Sequence, residues 1–168
     1  MSARHRETKL DLLAEAAREG GLAGRTFRVR GGCMAPLIAD GDEVTLAAEG
    51  GPLLPGHVVL ARAGGELLCH RLLAAAGEHC EVAGDADLRL DLLPPAGVLG
   101  RVAAIATPRF GGARLLLPAR PSRLEAFLAA WQRWSCRERT RLPMPLEAWR
   151  RAWRTRLSEG CWRRAPPS

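Results

Sequence analysis

The segment Gly31-Gly32-Cys33-Met34-Ala35-Pro36-Leu37-Ile38-Ala39-Asp40-Gly41-Asp42 places a thiol between two runs of strand character. Two glycines ahead of Cys33 let the backbone turn sharply, and Pro36 stiffens the exit, so the side chain stands at a tight corner rather than within a pleated strand. A thiol held this way can attack a carbonyl carbon while its own N–H donates to the oxyanion that develops. A cysteine read without its surroundings is equally suited to filling a small gap in a core. Other cysteine chemistry is poorly served by the spacing. The five cysteines, at 33, 69, 80, 136 and 161, form no Cys-x-x-Cys pair, and an odd count does not suit a disulfide framework. Cys69-His70 and His79-Cys80 are adjacent pairs. Neighbours on a strand point to opposite faces, so neither pair converges on a metal ion, and no metal or cofactor is expected.

The corner and four later segments, taken in order, resemble a known family. Gly32-Cys33-Met34, Pro36, the apolar pair Leu37-Ile38 and Gly41-Asp42 resemble the nucleophile box of the signal peptidases and the LexA-type self-cleaving proteins, with Cys33 where that family has serine. Gly56-His57-Val58-Val59-Leu60-Ala61-Arg62 resembles the Gly-Asp-Val-Val strand of the family. Leu67-Leu68-Cys69-His70-Arg71-Leu72-Leu73 resembles the strand carrying the catalytic base. Bacterial signal peptidases and LexA relatives have lysine there, whereas the endoplasmic-reticulum and archaeal type has His followed by Arg, the version that His70-Arg71 fits. Val82-Ala83-Gly84-Asp85-Ala86-Asp87, with Asp91 six residues after Asp85, is similar to the Gly-Asp box and second aspartate of that branch. Val98-Leu99-Gly100-Arg101-Val102 resembles the closing Gly-Arg-Val strand. The likeness covers about residues 26 to 106.

What this implies is a peptidase with Cys33 as nucleophile, His70 as base, Asp91 orienting His70, and Asp85 bracing the loop. Gly32, Met34 and Pro36 flank the nucleophile and are expected to border the substrate. An unperturbed thiol has a pKa of about 8.5, so a neighbouring imidazole is expected to form a thiolate–imidazolium pair near neutral pH. One departure concerns the oxyanion hole. Some signal peptidases carry a hydroxyl two residues before the nucleophile; that position is Gly31 here, which leaves backbone donors to do the work.

The elements that must hold these residues follow from periodicity. Thr8 three residues before Asp11 marks a helix start, and Leu10, Leu13, Ala14 and Ala17 share a face of a helix over residues 8–19 that ends at Gly20-Gly21. From Arg25 onward the pattern is of short apolar or alternating runs: 26–29, 43–47, 57–61, 66–73, 79–82, 98–106 and 113–117. Such spacing indicates a mainly β domain, and the resemblance implies a coiled β core of the LexA/signal-peptidase type. After Pro121 the period turns helical, with Leu124, Phe127, Leu128, Trp131 and Trp134 on one face and, past Pro143 and Pro145, Leu146, Trp149, Trp153 and Leu157 on another. The chain thus divides into an N-terminal helix (1–22), a β core (23–119) and a two-helix basic tail (120–168).

Charge separates the same parts. Residues 1–119 hold 13 Lys/Arg against 14 Asp/Glu, and residues 120–168 hold 12 Arg against 4 Glu, so the net charge of +7 belongs to the tail, as do all five tryptophans. That composition admits three readings, packing on the core, lying on a membrane surface and, third, binding nucleic acid, and the tail could also recruit a protein partner. Nucleic acid is disfavoured because no reading motif is present. No stretch approaches the roughly 20 apolar residues of a membrane span, and the N-terminus lacks the apolar centre of an export signal. The expected location is the cytoplasm, with room for peripheral membrane attachment. The function that follows is an endopeptidase cutting a polypeptide, such as a leader or signal peptide. The alternative is a non-catalytic peptide-binding module or pseudo-peptidase acting through the basic tail.

Overall fold

The computed structural model describes residues 3–137, apart from positions 49, 64, 88 and 111, together with 152 and 155. Apart from positions 152 and 155, which are helical, the second expected tail helix lies outside the described residues, as does Cys161. The protein is mainly β. Its strands are β1 (Thr26–Arg28), β2 (Glu43–Leu46), β3 (Val58–Ala63), β4 (Glu66–Ala76), β5 (His79–Ala83), β6 (Asp91–Leu93), β7 (Val98–Ala106) and β8 (Arg114–Leu116). They form an antiparallel sheet in the order β1-β2-β7-β3-β4-β5-β6, with β8 also on β7. Each of the seven expected runs contains a strand. The unexpected one is β6, whose three residues are cut short by Pro94-Pro95 and are too few to show an alternating pattern.

β7 curls the sheet into a half-barrel. Its first half pairs with β3 (Leu60↔Gly100) and its second half with β2 (Val44↔Ile105) and β8 (Ile105↔Leu115). Register irregularities at Thr45/Leu46 and Leu60/Ala61 add local twist where the partners change. The concave side encloses one core cluster built from Val29, Met34, Ile38, Val44, Val102 and Ile105. Val59, Leu72, Val82 and Leu93 form a second cluster between β3, β4, β5 and β6. Each fully buried Val, Leu or Ile contributes about 1.5–3 kcal/mol, so these clusters supply the main driving force for closure.

Helix α1 (Ala3–Arg18) lays Leu13, Ala14 and Ala17 on the first cluster, as the periodicity requires. It begins five residues before the expected Thr8 start, because Arg4 to Glu7 contain no helix breaker and an existing helix propagates cheaply. Gly20 then takes φ +73°, the left-handed conformation that closes a helix.

Helix α2 (Arg123–Arg137) opens on a capping box: Ser122 Oγ accepts from Glu125 N at 3.2 Å, and Glu125 Oε2 accepts from Ser122 N at 2.7 Å. Its docked face differs from the expected one. Leu128, Ala129, Gln132 and Ser135 are buried, whereas Leu124, Phe127 and Trp134 are exposed, the last two to 54% and 53%. Polar contacts set this rotation. Arg133 makes paired hydrogen bonds to Glu81 at 2.7 and 3.0 Å, Arg137 joins the same carboxylate, and Gln132 Nε2 donates to the Gly84 carbonyl at 2.6 Å. Gly56, at φ +103°, admits the start of the helix; a Cβ there would lie 3.0 Å from Pro121 Cβ and 3.3 Å from the Glu125 carbonyl carbon. The first tail helix is therefore packed on β4 and joins Leu73 and Ala83 in a third small cluster. Among the described residues no helix is long and apolar enough to cross a membrane.

Candidate active site

The Cys33 corner is fastened from both ends. Gly31, at φ +87°, donates its N–H to Asp40 Oδ1 at 2.8 Å, and Ala39 N donates to Asp42 Oδ2 at 2.8 Å. Asp42 is fully buried and also accepts from Thr107 Oγ1 at 2.5 Å and Arg109 Nη2 at 2.6 Å. The Gly-Asp that closes the box is thus a structural anchor between the corner and the chain following β7. Met34 and Ile38 sink into the first core cluster and pull the turn down onto the sheet. Buried this way, Met34 has only its backbone to offer a substrate. Gly32 is exposed, and Pro36, which follows a cis peptide bond, is half-buried.

β4 supplies the base by simple alternation. Glu66, Leu68 and His70 face one side and line a cleft, while Leu67 and Cys69 face the core. Pairing between β4 and β5 begins only at Arg71↔Ala83, so residues 66–70 have β3 on one edge and an open edge on the other. The Cys33 corner lies along that open edge, where its Sγ–H donates to the Cys69 carbonyl at 3.7 Å. On β5 His79 is exposed and Cys80 is buried. Among the described residues Cys33, Cys69, Cys80 and Cys136 are free thiols, and no group of three or more His, Cys, Asp and Glu converges to hold a metal ion.

The loop from Gly84 to Asp91 completes the site. A Cβ at Gly84 would lie 2.6 Å from the Cys33 carbonyl oxygen and 3.0 Å from Cys33 Cβ, so only glycine lets the two backbones meet. Ala86 N donates to that same Cys33 carbonyl at 2.8 Å. Asp85 is buried and accepts from Arg71 Nε at 2.8 Å and Nη2 at 2.7 Å, while Arg71 Nη1 donates to the Gly56 carbonyl at 2.6 Å. Asp85 therefore braces the loop and does not reach the cleft. Asp91, at the start of β6, faces the base: its Oδ2 is 3.5 Å from His70 Nδ1, and its Oδ1 is 3.2 Å from Arg89 Nε. The His70–Asp91 approach falls outside hydrogen-bond geometry, and buried Nδ1 has no hydrogen-bond partner among the described residues.

Cys33, His70 and Asp91 thus open into one cleft of about 320 Å³, lined also by Ala63, Glu66, Leu68, Asp87 and Arg89. Its electrostatics favour neutral reactants. Burial pushes the Cys33 thiol above its ordinary pKa, and the Asp87 and Asp85 carboxylates push the same way, against the N–H groups of Cys33 and Met34. Burial lowers His70, opposed by the carboxylates of Asp91, Asp87 and Asp85. Near neutral pH the resting site holds a thiol and an uncharged imidazole rather than the expected ion pair, an arrangement suited to proton removal during attack.

Sequence spacing brought Cys33, His70 and Asp91 forward, and they share the cleft. It passed over Glu66, Leu68, Asp87, Arg89 and Gln132. Glu66 and Leu68 were recoverable from their two-residue step to His70. Gln132 was not, because it reaches Gly84 across 48 residues. No protein-family model matches the chain, and no curated protein matches it.

Proposed function

We propose that the protein is an endopeptidase of the signal-peptidase/LexA-like type that cuts a polypeptide through Cys33, with His70 as base, Asp91 orienting it and Asp85 acting as a positioning residue. The observation that carries this reading is that Cys33 and His70 open into one cleft beside the unpaired edge of β4, where an extended chain can lie and offer its carbonyl to the sulfur. Cys33 Sγ attacks that carbonyl carbon as its proton passes to His70. The C–N bond then breaks, with His70 returning the proton to the departing amine, and a thioester remains on Cys33. Water, deprotonated by His70, attacks the thioester carbonyl, releasing the carboxylic acid and restoring the thiol. N–H groups of the corner are the donors available to the oxyanion.

Cleavage of a mixed peptide library, followed by mass spectrometry, tests the reading. Wild-type protein is expected to generate new termini, Cys33→Ala to generate none, and His70→Ala to be slower by about 10²–10⁴-fold. Products that persist in Cys33→Ala sink it. The 3.5 Å separation of His70 Nδ1 from Asp91 Oδ2, outside hydrogen-bond geometry, favours a second reading, a non-catalytic peptide-binding module or pseudo-peptidase. A hydroxylamine-sensitive acyl group on Cys33 after incubation with peptides separates the two, since only the peptidase forms one.

A further inference from the structure

Helix α2 leaves a stripe of apolar surface uncovered on the side turned away from β4. Six large apolar side chains are exposed among the described residues, and Leu124, Phe127 and Trp134 are three of them. The others, Leu12, Leu92 and Leu116, stand singly on α1, β6 and β8. At about 100° per residue, Arg123, Phe127, Ala130, Trp134 and Arg137 fall along one line of the helix, opposite the buried Leu128, Ala129 and Gln132. All five are exposed. Trp131 meets Phe127 edge to face, with ring centroids 5.9 Å apart, and widens the stripe. A lone exposed Leu is ordinary, whereas neighbouring exposed aromatics mark a contact surface.

The frame of this stripe is cationic. Arg123 begins it, Arg137 ends it, and Arg120 precedes the helix. Arg120 and Arg123 are exposed and have no carboxylate partner among the described residues. The helix has one carboxylate of its own, Glu125, which points away from the stripe and accepts from Ser122 N. Every basic residue from 120 onward is arginine, whose planar fork can donate two parallel hydrogen bonds to a phosphate. Charge therefore decides the occupant. A second copy laid face to face would set arginine against arginine with no carboxylate on the stripe to meet it. A nucleic acid offers phosphates but no apolar layer for Leu124 and Phe127. An anionic bilayer offers both, and α2, with 15 residues, is too short to cross it.

We infer that the outward face of α2 is a membrane-surface contact. The helix lies in the head-group layer of an anionic bilayer, with Leu124, Phe127 and Trp134 toward the acyl chains and Arg120 and Arg123 on the phosphates. Its inner face stays on β4, so binding does not require the helix to undock. The contact is independent of the peptidase reading, and Cys33→Ala is expected to bind as the wild type does.

Flotation of the full-length protein with vesicles tests it, using phosphatidylcholine alone or with phosphatidylserine as the minor component. The anionic vesicles are expected to bind at least about tenfold more tightly, with the gap shrinking as salt is added. Phe127→Ser combined with Trp134→Ser is expected to weaken binding about tenfold or more, whereas Phe127→Leu with Trp134→Phe retains it. Arg120→Gln with Arg123→Gln is expected to cost about tenfold on anionic vesicles alone. Both aromatic side chains are more than half exposed, so the variants keep the fold, as an unchanged urea midpoint verifies. Equal flotation with the two lipids, or flotation undiminished in the serine variant, overturns the inference. A dimer in sedimentation equilibrium, or retention of a labelled oligonucleotide, that the serine variant loses while its flotation persists assigns the face to a second copy or to nucleic acid and overturns it as well.

Discussion

A single added carbon at position 84 has nowhere to go. It would sit 2.6 Å from the backbone oxygen of Cys33, and that oxygen is already held by Ala86 N, so neither side can yield without moving the nucleophile. Gly84→Ala is expected to lower the urea midpoint by the equivalent of about 1–3 kcal/mol, the usual cost of overpacking, and to cut peptide turnover by at least about tenfold. A stability unchanged within error would mean that the corner and the loop are not in contact. The resting charge state matters at this scale too. His70 works only as the free imidazole, and burial holds its pKa below the ordinary 6.5, so turnover is expected to persist to more acidic pH than an exposed imidazole would allow, as a pH–rate profile reads.

Among the elements, α2 has the largest share in the site for its distance from it. Its buried face reaches the Gly84 carbonyl through Gln132 and the Glu81 carboxylate through Arg133 and Arg137, so the helix steadies the loop that in turn props Cys33. Gln132→Ala leaves that carbonyl without its side-chain donor and is expected to cost about 1–3 kcal/mol. Ending the chain at Ala119 also uncovers Leu73 and Ala83 and is expected to cost more, about 3–5 kcal/mol in denaturant unfolding, with turnover lost. A truncated chain that unfolds at the wild-type midpoint would show that α2 is an appendage. Periodicity located this helix but misplaced its inner face. Leu and Trp spacing ranks faces by hydrophobicity, whereas a bidentate Arg–Glu pair and a buried amide turned the helix so that Phe127 and Trp134 face outward.

At the level of the whole molecule, acid is the informative stress. His57 and His70 are both lowered from 6.5, in each case chiefly by burial. His57 Nδ1 accepts from Leu54 N at 3.1 Å and Nε2 reaches the Ala119 carbonyl at 3.0 Å, so protonation removes the acceptor that holds this ring. The folded state then binds fewer protons than the unfolded chain as pH drops below about 6.5, and stability falls through that window toward the native pKa values. Glu81 behaves as a depressed carboxylate, held down first by its hydrogen bond from Arg133. Its contribution is present above about pH 4.5 and is lost as pH falls through its lower native value. Urea midpoints should therefore decline as pH falls below about 6.5 and again below about 4.5, and His57→Gln should flatten the first decline. A flat profile from pH 7 to 5 would contradict the buried, uncharged histidines.

Local patterning was enough for the run of strands, the inward face of α1 and the tight corner at Cys33, because each depends on residues a few positions apart: alternation, a 3.6-residue period, a glycine with positive φ. Long-range contact settled everything else. The short β6 that carries Asp91 is made by pairing with β5 rather than by its own three residues. The open edge beside Cys33 exists because β5 joins β4 only from Arg71 onward. The charge state of thiol and imidazole comes from burial in the assembled cleft, and the site's dependence on a helix from the basic tail comes from contacts spanning about fifty residues. Short-range geometry is written in the order of side chains; burial and register arise only when the sheet has closed.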